Sequence, residues 1–338
     1  MTPATAKASS PPQPRFLITG AKGFIGAWIV KNLVERGDGP YVFDQDAESR
    51  RLRALLSDDK MNQVHFIQGD VTRLADLDRA VAENGITHLI HLAALQVPAC
   101  AADPPLGGLV NVVGMLNVFE VARRRPEQVK RIVYASSAAV FGPEEFYGHT
   151  TVSEGAALLP GTHYGVFKQC NEGNARVYYA NEGISSVGLR PWAVYGVGRD
   201  QGITSGPTKA IKATVVGRPY TIGFTGGLDL QYVNDTAQIF LRCAEAGLEG
   251  ARVYTLRGFV TQTEEFIATL AQIVPRARGL VRAEGKALPI ACDLDDSALV
   301  GDLGDVPRTP LADGIRETLA IFERLQREGR LDTADLGS

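Results

Sequence analysis

The stretch Arg15–Val30 constrains the fold of this chain more than any other part of it. An apolar run breaks at Gly20, and apolar residues resume with helical spacing after Gly23. This pattern predicts a strand, a tight turn and a helix. Gly20, Gly23 and Gly26 can turn the chain, let a phosphate approach the backbone, and pack the helix on the strand, with the helix N-terminus facing a pyrophosphate. A buried helix packed tightly on a sheet also selects small residues, so the glycines alone leave both interpretations open.

A second apolar run, Pro40–Asp44, ends in an acid. A carboxylate in this place can accept hydrogen bonds from both hydroxyls of an adenosine ribose and repels a 2′-phosphate, which favours NAD over NADP. Arg50 and Arg51 follow closely, and either could instead serve a phosphate. Alternatively, Asp44 caps a helix that starts near Ala47.

Apolar runs then alternate with helical patterns, which is typical of a parallel sheet covered on both faces. Asp70, just past one such run, is assigned equally to the adenine amino group or to helix capping. Asn111 is an amide among apolar residues, so it needs partners and can pin backbone near the active site. The predicted strands are Val64–Val71, His88–Ala94 and Arg131–Ser137, and the predicted helices are Leu74–Glu83 and Leu109–Arg124.

Hydroxyl groups follow the last of these strands, at Ser136 and Ser137. Tyr164 and Lys168 lie four residues apart and therefore share one face of the next helix. An ammonium beside a phenol, together with a positive nicotinamide ring, lowers a pKa that is ordinarily about 10. Such a tyrosine can take a proton from a substrate alcohol while hydride leaves the same carbon for NAD.

Composition narrows the class of protein. A chain of 338 residues suits one large α/β domain with a modest second lobe. A net charge of −3 gives no electrostatic reason to expect nucleic acid or an anionic membrane as a partner, and no apolar run approaches the length of a membrane span. Four cysteines without paired spacing indicate reduced thiols of a cytoplasmic protein, with no disulfide framework and no metal site.

Together these residues resemble the extended short-chain dehydrogenase/reductase family, in its NAD-dependent epimerase/dehydratase group. The fold expected is a Rossmann-type doubly wound parallel α/β sheet with a smaller C-terminal substrate-binding lobe. A disordered tail is expected at 1–14, an NAD-binding Rossmann domain at 15–190, and at 191–338 mainly the lobe, interleaved with late elements of the sheet. The motifs that carry the resemblance are Gly20–Gly26, Asp44, Gly69–Val71, His91–Ala94, Ser136–Gly142, Tyr164–Lys168 and Arg190–Gly196.

The resemblance implies that Tyr164 is the general base, that Lys168 fixes the nicotinamide ribose and that Ser137 hydrogen-bonds the reacting oxygen. It also implies a homodimer formed through Leu109–Arg124 and Thr162–Asn181. The residues that would contact the cofactor are Gly20, Gly23, Phe24, Ile25, Gly26, Asp44, Asp70, Val71, Leu92, Ala93, Ala94, Asn111, Ser136, Tyr164, Lys168, Pro191 and Trp192.

Departures from the family pattern restrict the reaction. Dehydratases of the group have an Asp-Glu pair where this chain has Ala138 and Ala139, and methyl groups carry no protons, so dehydration is rejected. Relatives acting on nucleotide sugars have a diphosphate-binding arginine where Leu228 stands, and Ala193 replaces their usual asparagine. A free sugar, sugar acid or polyol is therefore favoured as the substrate.

A glycine-rich loop over 196–207 is expected to form part of the substrate wall. Arg199, Thr204 and Ser205 are candidates to hold a carboxylate or hydroxyls, although Arg199 could equally be a solvated loop charge. The function expected is that of an NAD-dependent oxidoreductase removing hydride from a secondary alcohol of a carbohydrate-like substrate. The alternatives are a UDP-sugar 4-epimerase with tightly held NAD and a catalytically silent NAD-binding scaffold.

Overall fold

The computed structural model describes residues 13–46 and 48–337. The predicted tail at 1–14 lies almost wholly outside the described residues. The strands are β1 (Phe16–Thr19), β2 (Tyr41–Asp44), β3 (His65–Gln68), β4 (His88–His91), β5 (Arg131–Ala135), β6 (Ser186–Arg190), β7 (Ala193–Tyr195), β8 (Tyr220–Ile222), β9 (Gly227–Tyr232), β10 (Ala251–Thr255), β11 (Phe259–Gln262) and β12 (Val281–Ala283). The α-helices are α1 (Phe24–Glu35), α2 (Arg50–Leu55), α3 (Asp58–Met61), α4 (Leu74–Glu83), α5 (Val97–Ala102), α6 (Pro104–Gly108), α7 (Gly114–Arg124), α8 (His163–Glu182), α9 (Gly206–Val216), α10 (Val233–Glu245), α11 (Thr263–Ile273), α12 (Ala277–Leu280), α13 (Ser297–Leu303) and α14 (Leu311–Arg327).

Seven strands form one parallel sheet in the order β10-β6-β5-β4-β1-β2-β3. The chain starts in the middle with β1, builds outward through β2 and β3, and then crosses back to β4. This reversal opens a crevice at the carboxyl ends of β1 and β4, where doubly wound sheets bind ligands. The predicted Rossmann-type fold class is confirmed.

The two faces of the sheet are covered by separate apolar clusters. In β1, Leu17 packs with Phe119 on one face, while Ile18 packs with Ile29 on the other. Neighbouring residues of a strand point to opposite faces, so an uninterrupted apolar run fills both clusters. The exception is β3, where Phe66 is 46% exposed because this strand forms the edge of the sheet.

The predicted helix Leu109–Arg124 begins earlier than expected and is interrupted. The preceding helix, α6, starts at Pro104, directly after the N-cap Asp103, whose side chain accepts a hydrogen bond from the Leu106 amide at 3.0 Å. A π-helical segment, Leu109–Val113, then joins α6 to α7. Proline is favoured at the first position of a helix, so Pro104 can begin the helical stretch ahead of the predicted start at Leu109.

The helical stretch Pro104–Arg124 is 21 residues long and could cross a membrane by its length and composition alone. The prediction that no apolar run approaches a membrane span is therefore wrong for this stretch. Half of its most apolar window lies buried inside the fold, as in the core helix of a globular domain. The stretch is weak support for a membrane span.

The residues after 190 contribute to both parts of the molecule. The strands β7, β9 and β11 form a small sheet, and β8 pairs with β12. Between these elements the chain returns to the large sheet, because β10 pairs in parallel with β6, whose five residues are all buried. The division into an NAD-binding domain and an interleaved lobe stays a prediction.

Candidate active site

A cavity of about 850 Å³ lies at the carboxyl ends of β1, β2, β4 and β5. It brings together residues that are far apart in the sequence, from the glycine turn to the loop over 196–207. The predicted site residues in its wall are Gly20, Gly23, Phe24, Ile25, Gly26, Asp44, Val71, Leu92, Ala93, Ala94, Ser136, Ser137, Tyr164, Lys168, Pro191, Trp192, Arg199 and Thr204.

The glycine turn has little room for side chains. Gly20 has a φ of +65°, and a Cβ there would lie 2.6 Å from the backbone nitrogen of Ala93. A Cβ on Gly26 would lie 2.6 Å from the Cα of Ala21, because α1 packs directly against the end of β1. Packing therefore accounts for these two glycines. Gly23 caps α1 at the cavity wall, where the first amides of the helix have no intrahelical acceptor and fit a pyrophosphate.

Asp44 ends β2 at the cavity wall. Its Oδ2 accepts a hydrogen bond from the backbone amide of Lys22 at 3.3 Å. The following helix, α2, begins at Arg50 with Ser49 as its N-cap, later than the capping alternative requires. The carboxylate is thus placed beside the glycine turn, where an adenosine ribose would be held.

The two arginines that could have served a phosphate have protein partners. Arg51 donates to the carbonyl of Gly198 at 3.0 Å, to the carbonyl of Lys22 at 3.2 Å and to Asp200 at 2.6 Å. Arg50 pairs with the other oxygen of Asp200 at 3.1 Å and with Asp332. Both guanidiniums are committed to these contacts, which favours NAD over NADP.

Replacing Asp44 by Ala is expected to shift the NAD/NADP ratio of kcat/KM about 10- to 100-fold toward NADP. The reason is that a charge-assisted hydrogen bond to a ribose hydroxyl contributes about 1.5–3 kcal/mol and the same charge repels a 2′-phosphate. Steady-state kinetics with both cofactors measures the ratio. Asp46→Ala is the matched control, because Asp46 also lines the cavity but accepts from the Glu48 amide at 2.8 Å. An unchanged ratio in the Asp44 variant would contradict the assignment.

The catalytic residues predicted from the sequence meet in one wall of the cavity. Tyr164 and Lys168 lie in α8, with the Lys168 ammonium 5.4 Å from the centre of the Tyr164 ring. Lys168 Nζ donates to the carbonyl of Ala135, the last residue of β5, at 2.6 Å. Ser137 follows β5, and its Oγ accepts from the amide of Ala139 at 3.1 Å. The end of β5 thus positions both the lysine and the serine against the phenol.

The protonation of this group depends on burial as well as on charge. Burial raises the pKa of Tyr164, while the hydrogen bond with Ser137 and the positive charge of Arg199 oppose the rise. The predicted lowering requires a bound nicotinamide ring as well as Lys168, and it stays a prediction. Burial also lowers the pKa of Lys168 to about 8.

A buried ionic network next to Ser137 was missed by the sequence analysis. Glu172 in α8 is fully buried and accepts from Ser136 Oγ at 2.6 Å. The same carboxylate forms a two-point pair with Arg190 at the end of β6, at 2.8 and 2.7 Å. Ser136 therefore serves the network as well as lining the cavity. A glutamate in a helix and an arginine in a strand carry no local sequence signal for such a pairing.

Two predicted cofactor residues do not line the cavity. Asp70 lies between lining residues, but its Oδ1 accepts from both the amide and the hydroxyl of Thr72 at 2.8 Å. Asn111 bonds both backbone groups of Leu95, at 2.7 and 2.9 Å, and thereby fixes the loop after β4. Asn111 thus pins backbone at the site, as its apolar surroundings predicted, and direct contact of either residue with the cofactor stays a prediction.

The loop over 196–207 forms part of the cavity wall, as expected. Arg199 lines the cavity and donates to Thr204 Oγ1 at 2.8 Å, so it is not a solvated surface charge. Ser205 is buried outside the lining, with 5% of its surface exposed. Contact of this third candidate of the loop with a substrate stays a prediction.

The positions that depart from the family pattern are also placed by the structure. Leu228 is buried within β9, and Ala193 is buried in β7. Neither lines the cavity, whereas Ala138 and Ala139 do. Trp192 is held in the cavity wall by its indole, which donates to the carbonyl of Ala291 at 2.8 Å.

Several lining residues had no assigned role in the sequence. Some lie directly after predicted motifs, so their proximity to the site could have been inferred from their position. Others come from a segment near residue 289 whose irregular pattern gave no signal. The unassigned residues at the catalytic end include Gln96, Pro98, Phe141, Thr162, Ile203, Leu288, Pro289 and Ile290.

Comparisons with known proteins agree with this geometry. The UDP-glucose 4-epimerase of Mycolicibacterium smegmatis is 29% identical over 323 residues, which cover 91% of this chain and 98% of the relative. The solved UDP-glucose 4-epimerase of Thermus thermophilus, a complex with NAD, is 27% identical and has a TM-score of 0.76, covering 91% of this chain and 98% of that one. A partial consensus L-threonine 3-dehydrogenase is 26% identical with a TM-score of 0.81, covering 92% and 100% of the two chains.

The family model described as the NAD dependent epimerase/dehydratase family matches residues 16–256. This match and the similar structures confirm the resemblance carried by the motifs. They also support an enzyme of the epimerase/dehydrogenase type without deciding between a sugar nucleotide and another substrate. The chain belongs to the NAD dependent epimerase/dehydratase family, and its cofactor is NAD.

Proposed function

We propose that this chain is an NAD-dependent dehydrogenase that oxidises a secondary alcohol of a carbohydrate-like substrate. One observation carries the proposal: Ser137, Tyr164 and Lys168 lie in the wall of the same cavity as the glycine turn. Catalytic hydroxyls and a cofactor site in one cavity allow proton removal beside the hydride acceptor.

The roles follow from the positions of the side chains. NAD, when bound, accepts hydride from the alcohol carbon. Tyr164 Oη, in its phenolate form, takes the alcohol proton as a general base, and the Ser137 hydroxyl orients the reacting oxygen by a hydrogen bond. Lys168, anchored by the carbonyl of Ala135, presents its remaining donors to the cavity for the cofactor ribose.

The C-terminal part of the chain, which would bind the substrate, favours dehydrogenation of an alcohol that carries no nucleotide. Leu228 takes the place of the diphosphate-binding arginine, and it is fully buried in β9, where it cannot contact a ligand. Structures similar to this chain include L-threonine 3-dehydrogenases, which are named for a substrate that is not a nucleotide. An enzyme of this fold can therefore hold a small alcohol directly.

The second candidate is a UDP-sugar 4-epimerase. It is favoured by the similarity to the UDP-glucose 4-epimerase of Mycolicibacterium smegmatis over nearly the full length of both chains. An epimerase must hold the diphosphate of its substrate while the sugar ring rotates in the site. In this chain a residue other than Leu228 would have to contact the diphosphate.

Two measurements separate the candidates. We expect NADH to appear, by absorbance, with at least one member of a panel of free sugars, sugar acids, polyols and L-threonine. We also expect UDP, GDP and dTDP to give no thermal stabilisation of the NAD-loaded protein. Strong stabilisation by UDP together with interconversion of UDP-sugars, followed by NMR, would favour the epimerase. Bound NAD with neither activity would favour the silent scaffold.

We propose a homodimer and a cytoplasmic location on narrower grounds. Apolar side chains are exposed on the two helical segments that pair in the family, with Leu109 and Val113 on one and Val166 and Val177 on the other. The molar mass in solution tests the dimer.

All four cysteines are free thiols, which fits a reducing compartment such as the cytoplasm. Cell fractionation tests the location.

A further inference from the structure

We propose that Arg199 forms an anion-binding subsite next to the catalytic Tyr164, and that it takes a carboxylate of the substrate. The substrate would then be a hydroxy acid, a molecule that carries both a carboxylate and a secondary alcohol. The alcohol part rests on the proposed function, whereas the carboxylate part rests on the surroundings of Arg199.

The guanidinium of Arg199 is only partly satisfied by the protein. One nitrogen, Nη2, donates to Thr204 Oγ1 at 2.8 Å. The Nε is buried and has no hydrogen-bond partner among the described residues. The guanidinium carbon stands 5.9 Å from the centre of the Phe24 ring, a cation–π contact that supplies no negative charge. A buried donor without a partner is costly, so the protein alone leaves this guanidinium incompletely satisfied.

The positive charge of Arg199 has no counter-charge in direct contact. Its neighbour Asp200 is occupied by Arg50 and Arg51, at 3.1 and 2.6 Å. No ion pair within 13–46 and 48–337 includes Arg199, and burial lowers the pKa of its guanidinium. Arg199 is half-buried, and a cation partly removed from water without a partner is costly, so the site is built for an anion supplied from outside.

The position of Arg199 points to the substrate end of the cavity. Arg199 and Tyr164 line the same cavity, and the charge of Arg199 acts on the Tyr164 phenol. The loop backbone approaches the group closely at Gly202, where a Cβ would lie 2.3 Å from Gln96 Oε1 and 3.1 Å from Arg199 Nη2. Gln96, Arg199 and Thr204 thus form a polar patch in the cavity that also contains Tyr164.

A carboxylate matches this patch better than the cofactor phosphates do. The pyrophosphate already has the amides at the N-terminus of α1. An arginine presents a planar fork that binds a carboxylate through two parallel hydrogen bonds, and this geometry also fixes the orientation of the substrate. The alcohol carbon would be held in a fixed relation to Tyr164.

Calorimetric titration of the NADH-loaded protein tests the subsite with matched pairs of probes. The pairs are glucuronate and glucose, galacturonate and galactose, threonate and threitol, and L-threonine and threoninol. We expect at least one acid to bind about 10- to 100-fold more tightly than its neutral partner, because hydrogen bonds to charged groups contribute about 1.5–3 kcal/mol. No preference for any acid would overturn the proposal.

Variants assign the preference to Arg199. Arg199→Gln should remove the preference for the acid, and Arg199→Lys should retain part of it, because the charge remains but the fork is lost. Arg79→Gln is the control, since it removes a charge from the exposed face of α4, and it should bind as the wild type does. If Arg199→Gln does not fold, Thr204→Val removes the hydrogen-bond partner of the arginine and should lower the preference severalfold.

Titrations of the same variants with NAD and with UDP identify other sources of the anion. Loss of NAD affinity in Arg199→Gln, with binding of acids unchanged, would mean that the arginine serves the cofactor and would overturn the proposal. If Arg199→Gln loses affinity for UDP but keeps its affinity for the acids, the arginine binds a diphosphate and the proposal is overturned. Acid binding through Arg199 without NAD reduction would refute the dehydrogenase alone, whereas equal oxidation of acids and neutral alcohols would refute the subsite alone.

Discussion

Tyr164→Phe is expected to lower kcat by about 10²- to 10⁴-fold while NAD affinity stays within about twofold. The substitution removes only the phenol oxygen, which as phenolate would accept the alcohol proton, and leaves the ring in place beside Lys168. The remaining protein groups still bind the cofactor, so the loss should lie in the chemical step. Stopped-flow measurement of NADH formation, together with fluorescence titration of NADH, separates the two quantities.

Tyr179→Phe is the matched control for this prediction. Tyr179 lies in the same helix, α8, is 41% exposed and does not line the cavity. It should behave as the wild type does. Turnover of Tyr164→Phe at a wild-type rate, with an authentic substrate, would show that another group removes the proton.

Glu172→Gln is expected to lower the free energy of unfolding by about 3–5 kcal/mol, the cost of breaking a buried ion pair on one side only. The glutamine has nearly the same shape, but it leaves the Arg190 guanidinium buried without its counter-charge. One oxygen also accepts from Ser136 at 2.6 Å, so the amide would disturb the residue next to the catalytic Ser137. Urea denaturation followed by circular dichroism measures the change.

The control for the buried pair is a glutamate in a surface pair. Glu35→Gln removes the partner of Lys31 on the exposed face of α1, where the two residues lie 2.6 Å apart. Helical pairs of this kind contribute about 0.2–0.5 kcal/mol, so little change is expected. A loss below about 1 kcal/mol in Glu172→Gln would mean that the network is not a major source of stability.

The parts of the site that could be predicted are those with local causes. The turn at Gly20 is encoded by an apolar strand, a residue with positive φ and an adjacent helix, all within one short stretch. The spacing of Tyr164 and Lys168 follows from the helical repeat. In both cases a few neighbouring residues determine the geometry, so the sequence pattern is sufficient.

The parts that could not be predicted depend on contacts between distant segments. Arg51 looked like a possible phosphate ligand until Asp200, 149 residues away, was found beside it. The raised pKa of Tyr164 likewise comes from burial by the assembled cavity, which no local pattern reveals. Such pairings are set by the packing of whole elements, and a single sequence does not show which charges will meet.

The return of the chain to the large sheet at β10 limits how the protein can be recombined. A chimera joined at residue 190 would take β6 from one parent and its neighbour β10 from the other, because these strands pair over five residues. Every backbone hydrogen bond of that ladder would then join segments from two different parents. Swapping substrate preference between homologues therefore requires two junctions, one on each side of β10, so that the ladder is inherited intact.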